Sequence, residues 1–485
     1  MGSIEKSNDL LKGDWDYQVA VIGAGPGGED CARELAGAGL KVALVNDAPL
    51  PGGECLWRGG IPPKTWGAGG ARISDRQLGG DLGGAGTGPP RFGWGGVGGF
   101  WKTPRPGGGG WGAATGLKYK KADPHARARF TGEHELELSE PGGENRRLSF
   151  GAAVIATGAP AFVPPIPGAH EGLACGAVLT SETIWDLAEQ PESLAIVGAG
   201  AIGLEMAQIF AHFGSRITLV EMMDRVLPDM EHAVALGLQN ALLEEENLNL
   251  HCGAKVTKIS GEPGNVSLSF LDSESQEHSV TVDRVLMAAG KRPQLDGLGL
   301  EAAGLETEDG LIRVDDSCRT NQPHIFAVGD VIGGLMLAHT ASSQGRVAAE
   351  NILGKTARYD ADLDGGVVFT RPQVASVGLS LEQAKDRGLD AGEFRYPLDV
   401  DVKARLGFET HGMFKLVAEK GSGRILGAHL LADHADALIG EAVALVAGEL
   451  TLDQLSRAIH PHPTQTEIWG EMARRLKARF NRSCR

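Results

Sequence analysis

The chain has 485 residues, of which 42% are hydrophobic and 22% charged, with a formal net charge of -16 and a pI near 5.4. This length and balance predict a soluble globular protein with three or four folding units. The acidic charge argues against nucleic acid or anionic lipid as a partner, because clustered Lys and Arg bind both. We expect small-molecule and protein partners.

The sequence predicts a cytoplasmic protein. Its first residues contain no apolar core followed by a cleavage site, and no later apolar run reaches the roughly 20 residues of a membrane span. The six cysteines lie far apart, without a CxxC pair. We therefore expect no zinc, iron–sulfur or other metal site, and mostly reduced thiols.

The first regular pattern, in residues 17–47, is an apolar run, a glycine turn, an alanine-rich stretch and a second apolar run. This order is typical of a βαβ unit. Gly23 permits the tight turn, Gly25 lets the backbone approach a pyrophosphate, and Gly28 permits close packing of the helix, whose N-terminus favours negative charge. The segment therefore predicts a dinucleotide site.

The strand that follows this helix normally ends on an acid that binds a ribose diol. Here that position is Asn46, with Asp47 beside it. An amide oxygen still accepts one hydrogen bond, so a weaker ribose contact is expected.

Residues 67–116 have an unusual composition, with 20 of the chain's 71 glycines. Because glycine costs about 1 kcal/mol per helical position relative to alanine, the segment is not expected to form long helices. Two explanations stay open. The segment is either a flexible insert or a stretch whose letters do not represent the natural protein, for instance through a shifted reading frame. The run ARISDRQL, which looks like part of an amphipathic helix, favours the second.

A second βαβ pattern lies in residues 193–221. Its glycines are Gly198, Gly200 and Gly203, and Glu221 follows 18 residues after the last of them. A carboxylate at that point accepts hydrogen bonds from a ribose 2′-hydroxyl and repels a 2′-phosphate, which favours NAD over NADP. The alternative is that Glu221 is an ordinary surface acid.

From about residue 365 the composition changes to strand-like runs followed by a helical stretch, which predicts a separate α+β domain. The expected fold class is α/β, with two doubly wound Rossmann-like nucleotide-binding domains and a C-terminal α+β dimerisation domain.

Further motifs occur in a fixed order along the chain. Together they resemble the flavoprotein disulfide reductases, or pyridine nucleotide-disulfide oxidoreductases, and within them the dihydrolipoamide dehydrogenases. The similarity runs from about residue 17 to 475, apart from the glycine-rich block. The motifs are at residues 52–64, 156–158, 288–293, 325–330, 337–341, 370–372, 376–378 and 460–467.

The resemblance implies FAD in the first βαβ domain, with Asp330 on its ribityl chain, and NAD in the second. Other cofactor contacts implied by the matched motifs are Gly53, Thr157, Gly158, Gly290 and Ala338. The implied domains are 1–160 and 289–362 for FAD, 161–288 for NAD and 363–485 for the dimer interface.

The resemblance also implies a homodimer in which each active site takes its base, His462, from the neighbouring subunit, with Glu467 orienting it. An imidazole paired with a carboxylate is a suitable base near neutral pH for a dithiol. Lys64 and Glu205 match an ion pair beside the flavin, where a fixed charge tunes hydride transfer. The alternatives are a structural histidine and two surface charges.

One position departs from the family pattern. The family has two cysteines five positions apart in the segment matched by residues 52–64, which we call the redox segment. Here Cys55 is present but the second position is Gly60. One thiol cannot form the internal disulfide. With a full pair in the natural protein, electrons would pass between a lipoyl-bearing protein or small dithiol and NAD through the flavin.

Other functions stay open if Gly60 is the natural residue. The chain is then a disulfide-free flavoenzyme, similar to the soluble pyridine nucleotide transhydrogenases or a diaphorase. A non-catalytic FAD-binding subunit of a larger complex is another hypothesis that the missing cysteine favours. The complete nicotinamide fingerprint argues against this subunit hypothesis. Apart from the question of Gly60, other members of the family, such as glutathione-type or mercuric reductases, are a further alternative.

Overall fold

The computed structural model describes residues 9–48, 51–81, 125–140, 142–143 and 145–483. They form two compact units. The first comprises the described residues up to Thr65, those from 125 to Phe162, and Gly290–Asp360. The second comprises residues 66–81, Val163–Ala289 and the described residues from Ala361 onward.

The strands of the first unit are β1 (Tyr17–Ile22), β2 (Val42–Val45), β3 (Arg127–Gly132), β4 (Glu135–Ser139), β5 (Asn145–Ile155), β14 (Thr307–Glu308), β15 (Leu311–Ile312) and β16 (Ile325–Ala327). Those of the second unit are β6 (Val178–Thr180), β7 (Ser193–Val197), β8 (Arg216–Val220), β9 (Leu248–His251), β10 (Lys255–Glu262), β11 (Asn265–Leu271), β12 (Glu277–Val282), β13 (Arg284–Met287), β17 (Gly366–Val368), β18 (Gln373–Gly378), β19 (Ala391–Pro397), β20 (Met413–Glu419) and β21 (Ile425–Ala432).

The α-helices are α1 (Pro26–Gly37), α2 (Ile61–Asp81), α3 (Ala169–Cys175), α4 (Ala201–His212), α5 (His232–Leu242), α6 (Ala338–Ile352), α7 (Leu381–Asp386), α8 (Val402–Gly407), α9 (Ala435–Ala447), α10 (Leu452–Ser456) and α11 (Glu467–Ser483). A π-helical turn, Cys55–Gly59, precedes α2. No helix in the described part of the chain is long and apolar enough to cross a membrane.

The first unit is built on a six-stranded sheet in the order β2-β1-β5-β4-β3, with β16 also paired to β5. Strands β2, β1, β5 and β16 run parallel. Successive side chains of a strand point to opposite faces, so Ala20 and Ile22 enter one apolar cluster and Val19 and Val21 the other. The sheet is therefore buried on both faces, as expected for a doubly wound domain.

The second unit has a parallel sheet in the order β6-β13-β7-β8-β9, a three-stranded antiparallel sheet β10-β11-β12, and a C-terminal antiparallel sheet β17-β18-β21-β20-β19. Every residue of β7 is buried. The predicted fold class is confirmed: two βαβ nucleotide folds are followed by an α+β domain.

The expectation that residues 67–116 form no long helix is wrong for residues 67–81, which lie in α2. Residues 82–116 are outside the described residues, so the choice between an insert and misassigned letters stays open there. Tertiary contacts override the low helix propensity of glycine in this case.

Aromatic contacts and a hydrogen bond hold this part of α2. Trp66 is buried, with its ring centroid 4.9 Å from Trp185 and 5.7 Å from Phe210. One turn further on, Arg371 donates to the carbonyl of Ala71 at 3.3 Å. Burial of an indole among aromatic rings offsets part of the propensity cost of the glycines.

Candidate functional site

The first glycine turn has the shape that a dinucleotide requires. Gly23 has a φ of +104°, and a Cβ there would come closer than 3.0 Å to the carbonyl oxygen of Ala156. A Cβ at Gly28 would come equally close to the carbonyl oxygen of Gly23. Gly25 caps α1 in an extended conformation, and the nearest atom to its added Cβ is the Cα of Gly53, 4.0 Å away. This open approach fits a pyrophosphate at the helix N-terminus.

The second glycine turn repeats this geometry. Gly198 has a φ of +105°, and a Cβ there would come closer than 3.0 Å to the carbonyl oxygen of Ala288. A Cβ at Gly203 would clash with the carbonyl of Gly198, and no atom lies within 4 Å of one at Gly200. The three glycines therefore fit a second dinucleotide.

The residues at the strand ends differ between the two turns. Glu221 is 8% exposed and accepts hydrogen bonds from the backbone N–H groups of Ala199 at 2.6 Å and Met223 at 2.7 Å. Asn46 Oδ1 accepts from the N–H of Ala24 at 3.2 Å. Each side chain thus stabilises the glycine turn of its own βαβ unit by hydrogen bonds. Glu221 also places a negative charge at the second turn.

Asp47 does not join this turn. Its carboxylate is exposed and lies 3.8 Å from the guanidinium of Arg127. The amide of Asn46 also donates to the carbonyl of Ala48 at 2.9 Å, which fixes its orientation.

The other positions matched to cofactor motifs lie at strand ends or helix starts. Gly158, after Thr157 at the end of β5, has a φ of +72° and open space around its Cα. Ala338 begins α6, and Asp330 lies in a turn of 3-10 helix, Gly329–Ile332. The glycines with positive φ, close to the end of β5 and α1, make a cradle that fits FAD in the first unit.

Two further glycines have left-handed backbones. Gly53 has a φ of +56°, and a Cβ there would come closer than 3.0 Å to the Cα of Gly25, so the redox segment lies directly on the first glycine turn. Gly290 has a φ of +97°, and its carbonyl accepts from the N–H of Phe162 at 2.9 Å.

Within the redox segment, the backbone of Gly60 is oriented so that a side chain at position 60 would point toward the thiol of Cys55. The N–H of Gly60 donates to the carbonyl of Cys55 at 2.9 Å. The nearest atom to a Cβ built on Gly60 is the Cys55 Sγ, at less than 3.0 Å. A side chain at position 60 therefore lies against this sulfur.

Burial raises the pKa of the Cys55 thiol, and nearby charges modify it. The ammonium groups of Lys64 and Lys291 lower this pKa, whereas the carboxylate of Glu54 raises it. The thiolate is the nucleophile in disulfide exchange, so these charges bear on its reactivity.

Sequence reasoning missed two residues beside Cys55. Lys291 donates to Asp330 at 2.9 Å and also binds the carboxylate of Glu54. The available signals were a lysine within the motif 288–293 and an acid directly before the redox cysteine. Neither predicts the pairing, because Glu54 and Lys291 are 237 positions apart.

The predicted pair of Lys64 and Glu205 stays a prediction. Lys64 is half-buried in α2, and Glu205 lies in α4 of the second unit. Glu205 is 6% exposed and accepts from the N–H of Phe369 at 3.1 Å, so it is not a surface acid.

The structure brings the predicted base and its carboxylate together. His462 Nδ1 lies 3.1 Å from both carboxylate oxygens of Glu467, and its ring is exposed. Two positions earlier, His460 Nε2 lies 2.8 Å from Glu441. A carboxylate at Nδ1 leaves Nε2 of His462 available to take a proton.

Within the described residues, Cys31, Cys55, Cys175, Cys252 and Cys318 are free thiols. No group of three or more His, Cys, Asp and Glu side chains among those residues is arranged to hold a metal ion.

Two family models match the chain. Residues 17–345 match the pyridine nucleotide-disulphide oxidoreductases, and residues 365–473 match the dimerisation domain of the same enzymes, which supports a homodimer.

Curated relatives and solved structures agree with this result. A dihydrolipoyl dehydrogenase from Chlorobaculum tepidum is 35% identical over 94% of this chain and 96% of its own length. Another from Bacillus subtilis is 34% identical over 96% and 97%. The structure of an HOCl-induced flavoprotein disulfide reductase from Escherichia coli is 26% identical, has a TM-score of 0.78, and aligns over 94% of this chain and 99% of its own. With both family models matched and two glycine turns that fit dinucleotides, the chain belongs to the pyridine nucleotide-disulphide oxidoreductases and is an FAD- and NAD-dependent oxidoreductase of the dihydrolipoyl dehydrogenase type.

Proposed function

We propose that this protein transfers electrons between a lipoyl dithiol and NAD, with Cys55 as the thiol that exchanges with the substrate. The single observation that carries the proposal is the direction of position 60, where a Cβ would lie against the Cys55 Sγ. Two cysteines at these positions would be placed to form the disulfide that the reaction needs.

The cofactors divide between the two glycine turns. FAD would be held by Gly23, Gly25 and Gly28 with Asp330, and when bound it supplies the two-electron chemistry that links thiol and nicotinamide. Gly53, Thr157, Gly158 and Ala338 would complete its site. NAD would be held by Gly198, Gly200 and Gly203, with Glu221 on the adenosine ribose and Gly290 nearby.

His462 would act as the base. Its Nδ1 is held by Glu467, so its Nε2 would take a proton from the dithiol and then stabilise the thiolate. This role would be exerted on the active site of the partner subunit in a homodimer. Lys64 and Glu205 would place a fixed positive charge beside the flavin.

The domain limits follow from the same proposal. Residues 1–160 and 289–362 would bind FAD, 161–288 NAD, and 363–485 would form the dimer interface. We propose a cytoplasmic enzyme whose substrate is a lipoyl-bearing protein or a small dithiol.

A second function has a specific observation in its favour. Gly60 has no thiol, so the chain as written lacks the second member of the relay. With Gly60 as the natural residue, the alternative is a disulfide-free transhydrogenase or diaphorase that passes hydride between a nicotinamide and another acceptor. The retained pair of His462 and Glu467 favours dithiol chemistry, because hydride transfer does not need it.

Sequencing the gene across codons 55–130 is the first test, and assays of purified protein complete it. A cysteine codon at position 60 together with lipoamide-dependent NADH oxidation would establish the proposed function. A glycine codon, with NADH bleaching the flavin and a quinone or nucleotide as the only acceptor, would establish the alternative.

A substitution tests the same point in the chain as written. Gly60→Cys should raise lipoamide reduction by about a hundredfold or more, because a missing member of a catalytic unit costs at least that factor. Gly60→Ser is the matched control, which adds a side chain without a redox sulfur. Equal lipoamide turnover in the two variants would contradict the requirement for a second thiol.

A further inference from the structure

A half-buried ionic cluster connects the redox segment with the turn that contains Asp330. Lys291 reaches the carboxylates of Glu54 and Asp330, and the three side chains are 14%, 23% and 14% exposed, respectively. All three belong to the first unit. We call this set the Lys291 cluster.

Lys291 is a cation that both carboxylates contact. An ammonium has three donors and can serve both acids at once. Two carboxylates that converge in a partly buried site repel each other unless a cation lies between them. Removing Lys291 would therefore take away a positive charge that both acids contact.

Each acid belongs to a different functional segment. Glu54 directly precedes Cys55, and Asp330 lies in the turn Gly329–Ile332, whose first N–H donates to Gln344 at 2.8 Å. The backbone of Lys291 is itself held by a β-bridge to Ala161. The lysine thus joins two segments from a fixed position.

We propose that Lys291 is a positioning residue that holds the redox segment against the flavin-binding acid Asp330 and supplies positive charge to the Cys55 thiolate. This inference rests on the proposed roles of Cys55 and Asp330. It goes beyond them by assigning a task to a residue that the proposed function does not use.

The charges around Cys55 allow a test of the proposed effect of Lys291 on the Cys55 thiol. Lys64 and Lys291 lower the pKa of this thiol and Glu54 raises it, against a background of burial that also raises it. Loss of Lys291 and loss of the Glu54 charge should therefore move the thiol in opposite directions. Local damage to the fold would move both variants the same way.

The experiment measures alkylation of Cys55 by iodoacetamide as a function of pH in the NADH-reduced holoenzyme, with the Cys55 peptide quantified by mass spectrometry. Lys291→Met should raise the midpoint by about one pH unit, and Glu54→Gln should lower it. Lys291→Arg keeps the charge and should return the midpoint toward the wild type. Lys355→Met removes an exposed lysine as the matched control.

A second measurement tests the proposed role of Lys291 in positioning Asp330. The dissociation constant of FAD, measured by reconstitution of apoprotein, should rise by about tenfold or more in Lys291→Met, because Asp330 then loses its ion pair with Lys291 in a partly buried site. It should stay at the wild-type value in Lys355→Met. Lys291→Arg should recover most of the affinity.

The outcomes separate the two proposals. If the wild type binds FAD and NADH reduces it, but Lys291→Met matches Lys355→Met in both readouts, the inference about Lys291 is overturned and the proposed function stands. Midpoints that move the same way in Lys291→Met and Glu54→Gln would also overturn it. A wild type that binds no FAD would refute the proposed function itself.

Discussion

The two βαβ units of this chain share one backbone geometry and differ in a few side chains. Gly23 and Gly198 have φ values of +104° and +105°, and the helices that follow are both capped by an extended glycine. The strand ends differ, with Asn46 in the first unit and Glu221 in the second. The glycines have the backbone geometry that either proposed cofactor requires, whereas the residue at the strand end differs and is proposed to select between nucleotides.

The first turn of the two helices also differs. Glu29, six residues after Gly23, is 9% exposed, and Leu204, six residues after Gly198, is fully buried. Burial raises the pKa of Glu29 to about 7, with Asp30 adding to the rise. The first unit therefore has a buried carboxylic acid at the helix position where the second unit has an aliphatic side chain.

The largest expected effect comes from the glycine that packs each helix against its strand. A Cβ at Gly28 or Gly203 would meet a backbone carbonyl at less than 3.0 Å, so the helix must move. Gly28→Ala should abolish FAD retention, and Gly203→Ala should leave FAD bound but prevent its reduction by NADH. Each should lower the free energy of unfolding by about 1–3 kcal/mol.

The ratio of flavin to protein absorbance and the rate of flavin bleaching by NADH measure these two losses. Gly37→Ala, in α1, is the control, because no atom lies within 4 Å of a Cβ there. Loss of flavin from both Gly28→Ala and Gly203→Ala would contradict the assignment of separate cofactors to the two turns.

The next effect concerns stability against pH. The pKa of Glu29 is higher in the folded state, about 7, than its ordinary value of 4.5, so the folded state binds the proton more tightly. The stability contributed by protonated Glu29 is complete below about pH 4.5, is lost as the pH rises through 7, and is absent above it. Glu29→Gln should therefore gain about 2 kcal/mol over the wild type between pH 4.5 and 8, after allowance for solvent screening.

Urea unfolding at pH 4.5, 6 and 8, followed by tryptophan fluorescence with FAD in excess, measures this gain. Glu34→Gln, on the same helix but exposed, is the control. A difference between Glu29→Gln and the wild type that stays constant with pH would mean that the pKa of Glu29 is the same in the folded and unfolded states.

The sequence was sufficient where a local pattern carries the structure. The glycines of both turns, the strands around them and the pair of His462 and Glu467 were predictable, because their contacts lie within a few residues or follow a steric rule. Helix α2 beyond Trp66 was not, since burial of this ring among distant aromatic residues decides it.

Long-range ion pairs also could not be predicted from the sequence. Lys291 and Glu54 are 237 positions apart, and the buried pair of Lys415 and Glu231 is 184 positions apart. Neither leaves a periodic or local signal, because the partners meet only after the sheets and helices have packed.

A smaller effect is expected at the strand end of the second unit. Glu221→Gln removes the charge and weakens the acceptor for a ribose hydroxyl, so the KM for NADH should rise by about tenfold. The preference for NADH over NADPH should fall at the same time, since a 2′-phosphate is no longer repelled. Flavin retention should not change.

Initial rates of flavin bleaching with NADH and with NADPH measure both quantities. Glu277→Gln makes the same change at an exposed position of β12 and should match the wild type. An unchanged ratio of the two rates in Glu221→Gln would show that selection between nucleotides lies elsewhere.

The smallest effect is expected at Asn46. Asn46→Ala removes the acceptor of the Ala24 N–H, so the dissociation constant of FAD should rise by about threefold, while the KM for NADH stays at its wild-type value. Asn46→Asp keeps the acceptor but loses the hydrogen bond to Ala48. If the amide serves only to hold the glycine turn, Asn46→Asp should bind FAD within about twofold of the wild type. Tighter binding of FAD by Asn46→Asp would instead mean that a carboxylate at position 46 reaches a ribose, as Glu221 is proposed to do. The first turn would then differ from the second in ribose recognition only because it has an amide in place of the acid.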